Sequence, residues 1–157
     1  MSRWGRADFS QLRAMVNAFN KLSSSEMDDL CIACSKALAG RLLALVIPAT
    51  PVGKYPKATG KKGGTLRRGW GAKTGSAAAA YAESLTVTKS GNTYTVEIVN
   101  PVEYASYVEF GHRTVDGGWV EGRYMLTVSE EKLKQIAPAV LEKMVLRKLK
   151  EVCNGRS

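Results

Sequence analysis

Two hydrophobic periods alternate along this 157-residue chain and separate helical from extended stretches. Phe9, Leu12, Met15, Val16, Phe19 and Leu22 recur at helical spacing and predict an amphipathic helix over 8–22. Ser23-Ser24-Ser25-Glu26 interrupts it. Ser23 and Glu26 stand at capping-box spacing, so a second helix is predicted over about 26–47. Met27, Leu30, Cys31, Cys34, Leu38, Leu42, Leu45 and Val46 line its expected buried face, and Pro48 and Pro51 stop it. Residues 85–89 and 93–99 alternate with period two around Ser90-Gly91-Asn92, which predicts a β-hairpin. Leu85, Val87, Tyr94, Val96 and Ile98 would face the core. Thr86, Thr88, Thr95 and Glu97 would face away.

A denser pattern follows. Residues 100–126 hold five aromatic side chains and four glycines, more ring surface than a short segment can hide by itself. Asn100 can cap a helix, Pro101 suits its first position, and Glu103 can bond back to the cap amide. Gly111 reads as the helix end. A helix over 101–110 puts Tyr107, Tyr104, Val108 and Ala105 on one apolar arc, with Glu109, Val102, Ser106, Phe110 and Glu103 opposite. Phe110 is then a large ring on the wet side. Such a ring marks a contact with another chain unless loop 111–122 folds back over it. Residues 124–128 either add a strand or lead directly into a last helix. Ser129 is that helix's candidate cap, with Glu130 and Glu131 favourable at its positive end. Leu133, Ile136, Ala137, Val140, Leu141, Met144, Val145 and Leu149 form its stripe, and Pro138 in mid-pattern predicts a kink or a split.

Charge adds a feature that periodicity does not show. The net charge is +9, and all of it resides in residues 1–80, which carry 13 basic and four acidic side chains. Residues 81–157 carry ten of each. Segment 53–76 holds seven glycines and seven basic residues without one acid: Lys54, Lys57, Lys61, Lys62, Arg67, Arg68 and Lys73. It has too little apolar surface to order itself, so it reads as a long flexible basic loop gripped at its end by Leu66 and Trp70. Such a loop suits a polyanion or an acidic partner.

Several chemistries are poorly supported. No apolar run approaches the roughly 18 residues needed to span a bilayer, and the N-terminus lacks the apolar core of a signal peptide. No membrane partner is expected. Cys31, Cys34 and Cys153 form no disulfide framework, and Cys31 with Cys34 reads as two small apolar residues on a helix face. His112 is the only histidine, so no metal site and no cofactor are expected. His112 has no identifiable orienting carboxylate or nucleophile, so no catalytic residues are assigned and the chain is expected not to be an enzyme. Gly53 to Lys62 looks like a phosphate-binding loop, but its glycine gap is wrong, Lys62 replaces the magnesium-binding hydroxyl, and a helix precedes it.

Thr50-Pro51-Val52, then Gly64-Thr65-Leu66-Arg67, the hairpin, Tyr104-Ala-Ser-Tyr-Val-Glu-Phe-Gly111, Met125-Leu126 and a long final helix occur in this order over about 26–152. This order resembles the head–tail joining, or tail-completion, neck proteins of long-tailed double-stranded DNA phages. The lysine-rich stretch from Gly53 to Gly64 departs from that pattern, which passes from Thr-Pro-Val to Leu-Arg within a few residues. The fold expected is α+β: a single domain over 1–157, with a small antiparallel sheet and long N- and C-terminal helices packed on it. Residues 1–25 would be a helical extension and 53–76 the flexible basic loop. The resemblance implies a structural virion protein, assembled in the bacterial host cytoplasm and located in the neck. It would be a homo-oligomeric ring subunit between head-side connector proteins and tail-end terminator or tube proteins, around the channel for double-stranded DNA. Tyr104, Tyr107, Phe110, Gly111, His112 and Trp119 are its candidate oligomer or partner interface. The alternative is a free, non-sequence-specific nucleic-acid-binding protein acting through the basic loop.

Overall fold

The computed structural model describes residues 10–72 and 75–155, so Phe9 and Lys73 lie outside the described residues. The fold is α+β, with six α-helices and two small antiparallel hairpins among the described residues. Helix α1 (Ser10–Lys21) runs into α2 (Ser24–Ala49). The capping box between them forms as its spacing predicts: Glu26 N–H donates to Ser23 Oγ (3.2 Å) and Ser23 N–H to Glu26 Oε2 (2.9 Å). Helix α1 packs on the C-terminal helix, yet Met15, Val16 and Phe19 of its apolar stripe stay exposed and Ala18 is buried.

Helix α2 is the central element. Its most buried positions are Ala39, Gly40, Leu43, Val46 and Ile47. Of the face expected from periodicity, only Val46 is fully buried, and the other seven positions are half-buried. The shift has a physical cause. A helix that periodicity does not show, α4 (Ala78–Glu83), packs against α2 at Gly40, where a Cβ would lie 3.2 Å from Ala79 Cα. Close backbone approach there draws the neighbouring positions inward. By length and mean composition α2 is also long and apolar enough to cross a membrane, although Lys36 and Arg41 interrupt it and it contains no unbroken apolar run of that length. Here its apolar residues meet α4, the first hairpin and the last helix.

Between α2 and α4 lie a 3-10 turn (Lys57–Thr59) and the short helix α3 (Thr65–Arg68). Strands β1 (Val87–Ser90) and β2 (Thr93–Val96) pair with Val87 opposite Val96 and Ser90 opposite Thr93. The expected alternation holds: Leu85, Val87, Tyr94, Val96 and Ile98 are half-buried, while Thr86, Thr88, Thr95 and Glu97 are exposed. Asp28 of α2 pins this hairpin by accepting from Lys89 Nζ (2.7 Å) and from the Tyr94 hydroxyl.

Helix α5 (Ala105–Phe110) is shorter than predicted. Asn100 does not cap it, because α5 begins only at Ala105; the Asn100 Oδ1 accepts from Val102 N–H (3.3 Å) in a local turn ahead of the helix, and its Nδ2 donates to the Leu66 carbonyl (2.8 Å). Strands β3 (Gly111–Arg113) and β4 (Trp119–Glu121) form a second hairpin within the expected loop. Residues 125–128 then enter α6 (Met125–Gly155) rather than a strand. Ser129 lies inside α6, not at its cap, and its hydroxyl bonds the Met125 carbonyl (2.6 Å). Pro138 sits within α6 without splitting it. The core joins Leu43, Val46 and Ile47 of α2 to Leu66, Trp70, Ala78, Ala82 and Met125.

Candidate partner-binding site

Thr50, at the end of α2, is fully buried and works as a joint. Its hydroxyl donates to the Val46 carbonyl (2.7 Å) and accepts from Trp70 Nε1 (2.8 Å). Its carbonyl accepts from Arg67 Nε (3.0 Å) and Nη2 (2.6 Å). A helix C-terminus leaves carbonyls without intrahelical partners and favours a cation beside them, which is what Arg67 supplies. The Thr-Pro-Val and Leu-Arg segments are therefore two halves of one structural lock. This changes the reading of the basic loop. Arg67 is turned onto α2 rather than toward a partner. Arg68 is exposed and folds back onto the Gly63 carbonyl (3.2 Å) and the Thr65 hydroxyl (3.3 Å).

Lys54, Lys57, Lys61 and Lys62 are exposed on the intervening excursion. The excursion closes on itself, since a Cβ on Gly63 would overlap the Gly53 carbonyl. It therefore leaves and rejoins the body at nearly one point, as compact surface loops do.

The opposite wall is built on α5, β3 and β4. Val102, Ala105, Val108 and Glu109 form its buried or half-buried side, while Tyr104 and Tyr107 are 44% and 58% exposed. The predicted apolar arc is thus rotated: the tyrosines face outward and Glu109 faces inward. Glu109 is 5% exposed, and its carboxylate accepts from Leu126 N–H (2.9 Å), Thr127 N–H (2.9 Å) and Thr127 Oγ1 (2.7 Å). These are orphan donors of the first turn of α6, at the positive end of its dipole. This carboxylate is the cap that Ser129 does not provide. Backbone bonds complete the brace, from Arg123 N–H to the Val108 carbonyl (2.7 Å) and from Tyr124 N–H to the Glu109 carbonyl (3.0 Å).

Gly111 ends α5 at φ +86°, and a Cβ there would lie 2.5 Å from the Val120 carbonyl. Only glycine permits this backbone and this approach. The turn leaves Phe110 60% exposed and Trp119 56% exposed, so the hairpin does not fold over Phe110. His112 is half-buried, with its ring 5.7 Å from that of Tyr107. Its Nδ1 is buried without a hydrogen-bond partner among the described residues.

The two walls enclose one groove of about 390 Å³. Tyr55, Lys62 and Val52 line one side, and Tyr104, Tyr107, His112, Val120, Glu121 and Arg123 the other. The structure thus unites Lys62 with three of the candidate aromatic-block residues, while Phe110 and Trp119 stand outside the groove. Tyr55 was missed at the sequence level. Its one signal is an aromatic ring among glycines and lysines with nothing local to pack on. Among the described residues, no cluster of three or more His, Cys, Asp or Glu side chains could hold a metal.

Residues 13–111 match the HK97-gp10-like family, whose description reads "Bacteriophage HK97-gp10, putative tail-component". The match takes in the Thr50 lock, the excursion, the first hairpin and α5, and it ends at Gly111, so α6 lies beyond it. It covers well over half of the chain, and the protein belongs to this family of phage tail-component proteins. No curated protein and no solved structure shows significant similarity to the chain.

Proposed function

We propose that the chain is a ring-forming subunit of the phage neck. It completes the tail and joins it to the DNA-filled head, around the genome channel. Membership of a phage tail-component family supports a structural role in the virion. One observation carries the finer reading: Tyr104, Tyr107, Phe110 and Trp119 are all exposed on and beside a braced hairpin. Aromatic anchors on a rigid platform dominate contact energies between chains. The neighbours are further copies of the chain in the ring, head-side connector proteins and tail-end proteins. The exposed lysines face passing duplex DNA or an acidic protein surface.

A second reading, a free nucleic-acid-binding protein, is favoured by one feature: four exposed lysines on one excursion without an acid among them. Imaging virions that carry a labelled copy separates the two. Label at the head–tail junction is the expected result, and its absence from the particle overturns the neck reading. Duplex binding by a small oligomer, weakening by roughly 0.9 log unit per log unit of salt for each phosphate neutralised, would favour the second reading.

A further inference from the structure

We infer that the groove between the excursion and α5 is a docking slot for an acidic, extended segment of another virion protein. The inference rests on the virion reading above and adds the chemistry of the partner. Tyr55, Tyr104 and Tyr107 line a concavity of about 390 Å³, of a size that holds side chains of an extended peptide. Aromatic-lined grooves of this kind favour extended, proline-compatible backbone, which loses little entropy on docking.

The charge of the groove selects among such segments. Lys62 and Arg123 line it, and neither takes part in an ion pair among the described residues. Glu121 is the one acid at the groove, because the nearby Glu109 carboxylate is engaged with α6. Lys54 and Lys61 on the same excursion extend the positive potential beyond the groove.

A second copy of the chain is a poor occupant. Its paired acids, Asp28-Asp29 and Glu130-Glu131, lie on α2 and α6, and its other acids are scattered singly. Duplex DNA is a poor occupant too. Its phosphates lie on a convex rod that can touch exposed lysines but cannot enter a side-chain-sized groove.

The test uses the full-length, isotopically labelled protein and a short peptide of alternating glutamate and proline. Matching glutamine–proline and lysine–proline peptides and a short DNA duplex serve as comparisons. The expected result is saturable shifts at the backbone amides of Tyr104, Tyr107, His112 and Val120 with the acidic peptide. Binding should weaken at least about tenfold for the glutamine peptide, for Lys62→Gln combined with Arg123→Gln, and for Tyr107→Ser. All three side chains are exposed, so circular dichroism should show each variant folded. Absence of shifts, equal binding of the glutamine peptide, or shifts confined to 54–61 would overturn the slot. Stronger perturbation of the groove amides by the duplex would overturn it in favour of nucleic acid. Co-sedimentation with purified tails, run in parallel, keeps the two readings separable. Peptide binding without tail capture sustains the slot and sinks the neck location. Tail capture without peptide binding does the reverse.

Discussion

The wall of the groove built from α5, β3 and β4 is braced by the body behind it, whereas the wall built from 53–63 is tied to the body where it begins and ends and in between is held by bonds within its own turn. Behind the first stand the Glu109 carboxylate on the α6 amides and the paired β3–β4 ladder. Behind the second stands the Thr50–Arg67 lock, at the base, with the lysines themselves exposed. The difference assigns different work to each wall. Rings gain contact energy only in fixed geometry, so they belong on a braced platform. Charge acts over a Debye length, so exposed lysines lose little by standing on a wall that is tied to the body at its base.

Breaking the brace should have the largest effect. Glu109→Ala leaves part-buried first-turn amides of α6 without their acceptor and should cost roughly 3 kcal/mol. Denaturant midpoints with an unchanged m-value would register it. A loss below about 0.5 kcal/mol would mean that water replaces the carboxylate and that this wall is not held from behind. Breaking the lock comes next. Arg67→Ala removes a charge-assisted fork to the Thr50 carbonyl and should cost about 2 kcal/mol. Arg67→Lys should recover little of it, since lysine cannot reproduce the fork. If Arg67→Ala instead left stability intact and reduced partner binding, Arg67 would belong with the exposed lysines after all.

A smaller effect comes from the first hairpin, which lies outside the groove and is a control on the comparison. The bond from Lys89, and then that from the Tyr94 hydroxyl, hold the Asp28 carboxyl below its usual 3.8. A carboxylate depressed in the folded state adds stability above its unfolded value, and that stability is lost as pH falls through the folded value. Lys89 is raised above 10.5, chiefly by its bond to Asp28, so its share persists below that pH and is lost in strong alkali. Melting temperature should therefore fall more steeply for the native chain than for Asp28→Asn below about pH 4. Parallel acid profiles of the two would remove Asp28 from the account. Groove amides should be unaffected by Asp28→Asn.

Much of the scaffold was legible because it rests on local rules. The capping box at Ser23 and Glu26 needs two residues, and the hairpin alternation needs a handful. Phe110 also stands exposed as its helical position predicts. What was not legible depends on distant partners. Glu109 looks like a wet-side acid until the amides of Leu126 and Thr127 are brought to it, and with it the tyrosine arc turns outward. Arg67 is chemically equivalent to its basic neighbours until the end of α2 arrives beside it. Helix α4 begins in an alanine run, where hydrophobic periodicity carries no signal. The three-residue strands β3 and β4 are too short for alternation to mark them. The pairing of Lys62 with Tyr104 and Tyr107 across the groove follows only from the Thr50 lock, which fixes where the excursion leaves the body.

The smallest effect on folding should come from the change that looks most drastic. Removing 54–62 and joining Gly53 to Gly63 deletes one wall of the groove. Those two glycines already touch, so the shortened chain needs no displacement of Thr50 or Arg67. None of the deleted side chains is buried. Loop-closure entropy changes slowly with length, by about 0.6 kcal/mol per doubling, so stability should move by no more than about that amount. A cooperative melt within a few degrees of the native chain is expected. Binding of the glutamate–proline peptide should nevertheless be lost, because Tyr55 and Lys62 go with the segment. Unfolding of the shortened chain would make the excursion part of the core. A folded chain that still bound the peptide at native strength would place the docking energy on the braced wall alone, and the two walls would then not act together.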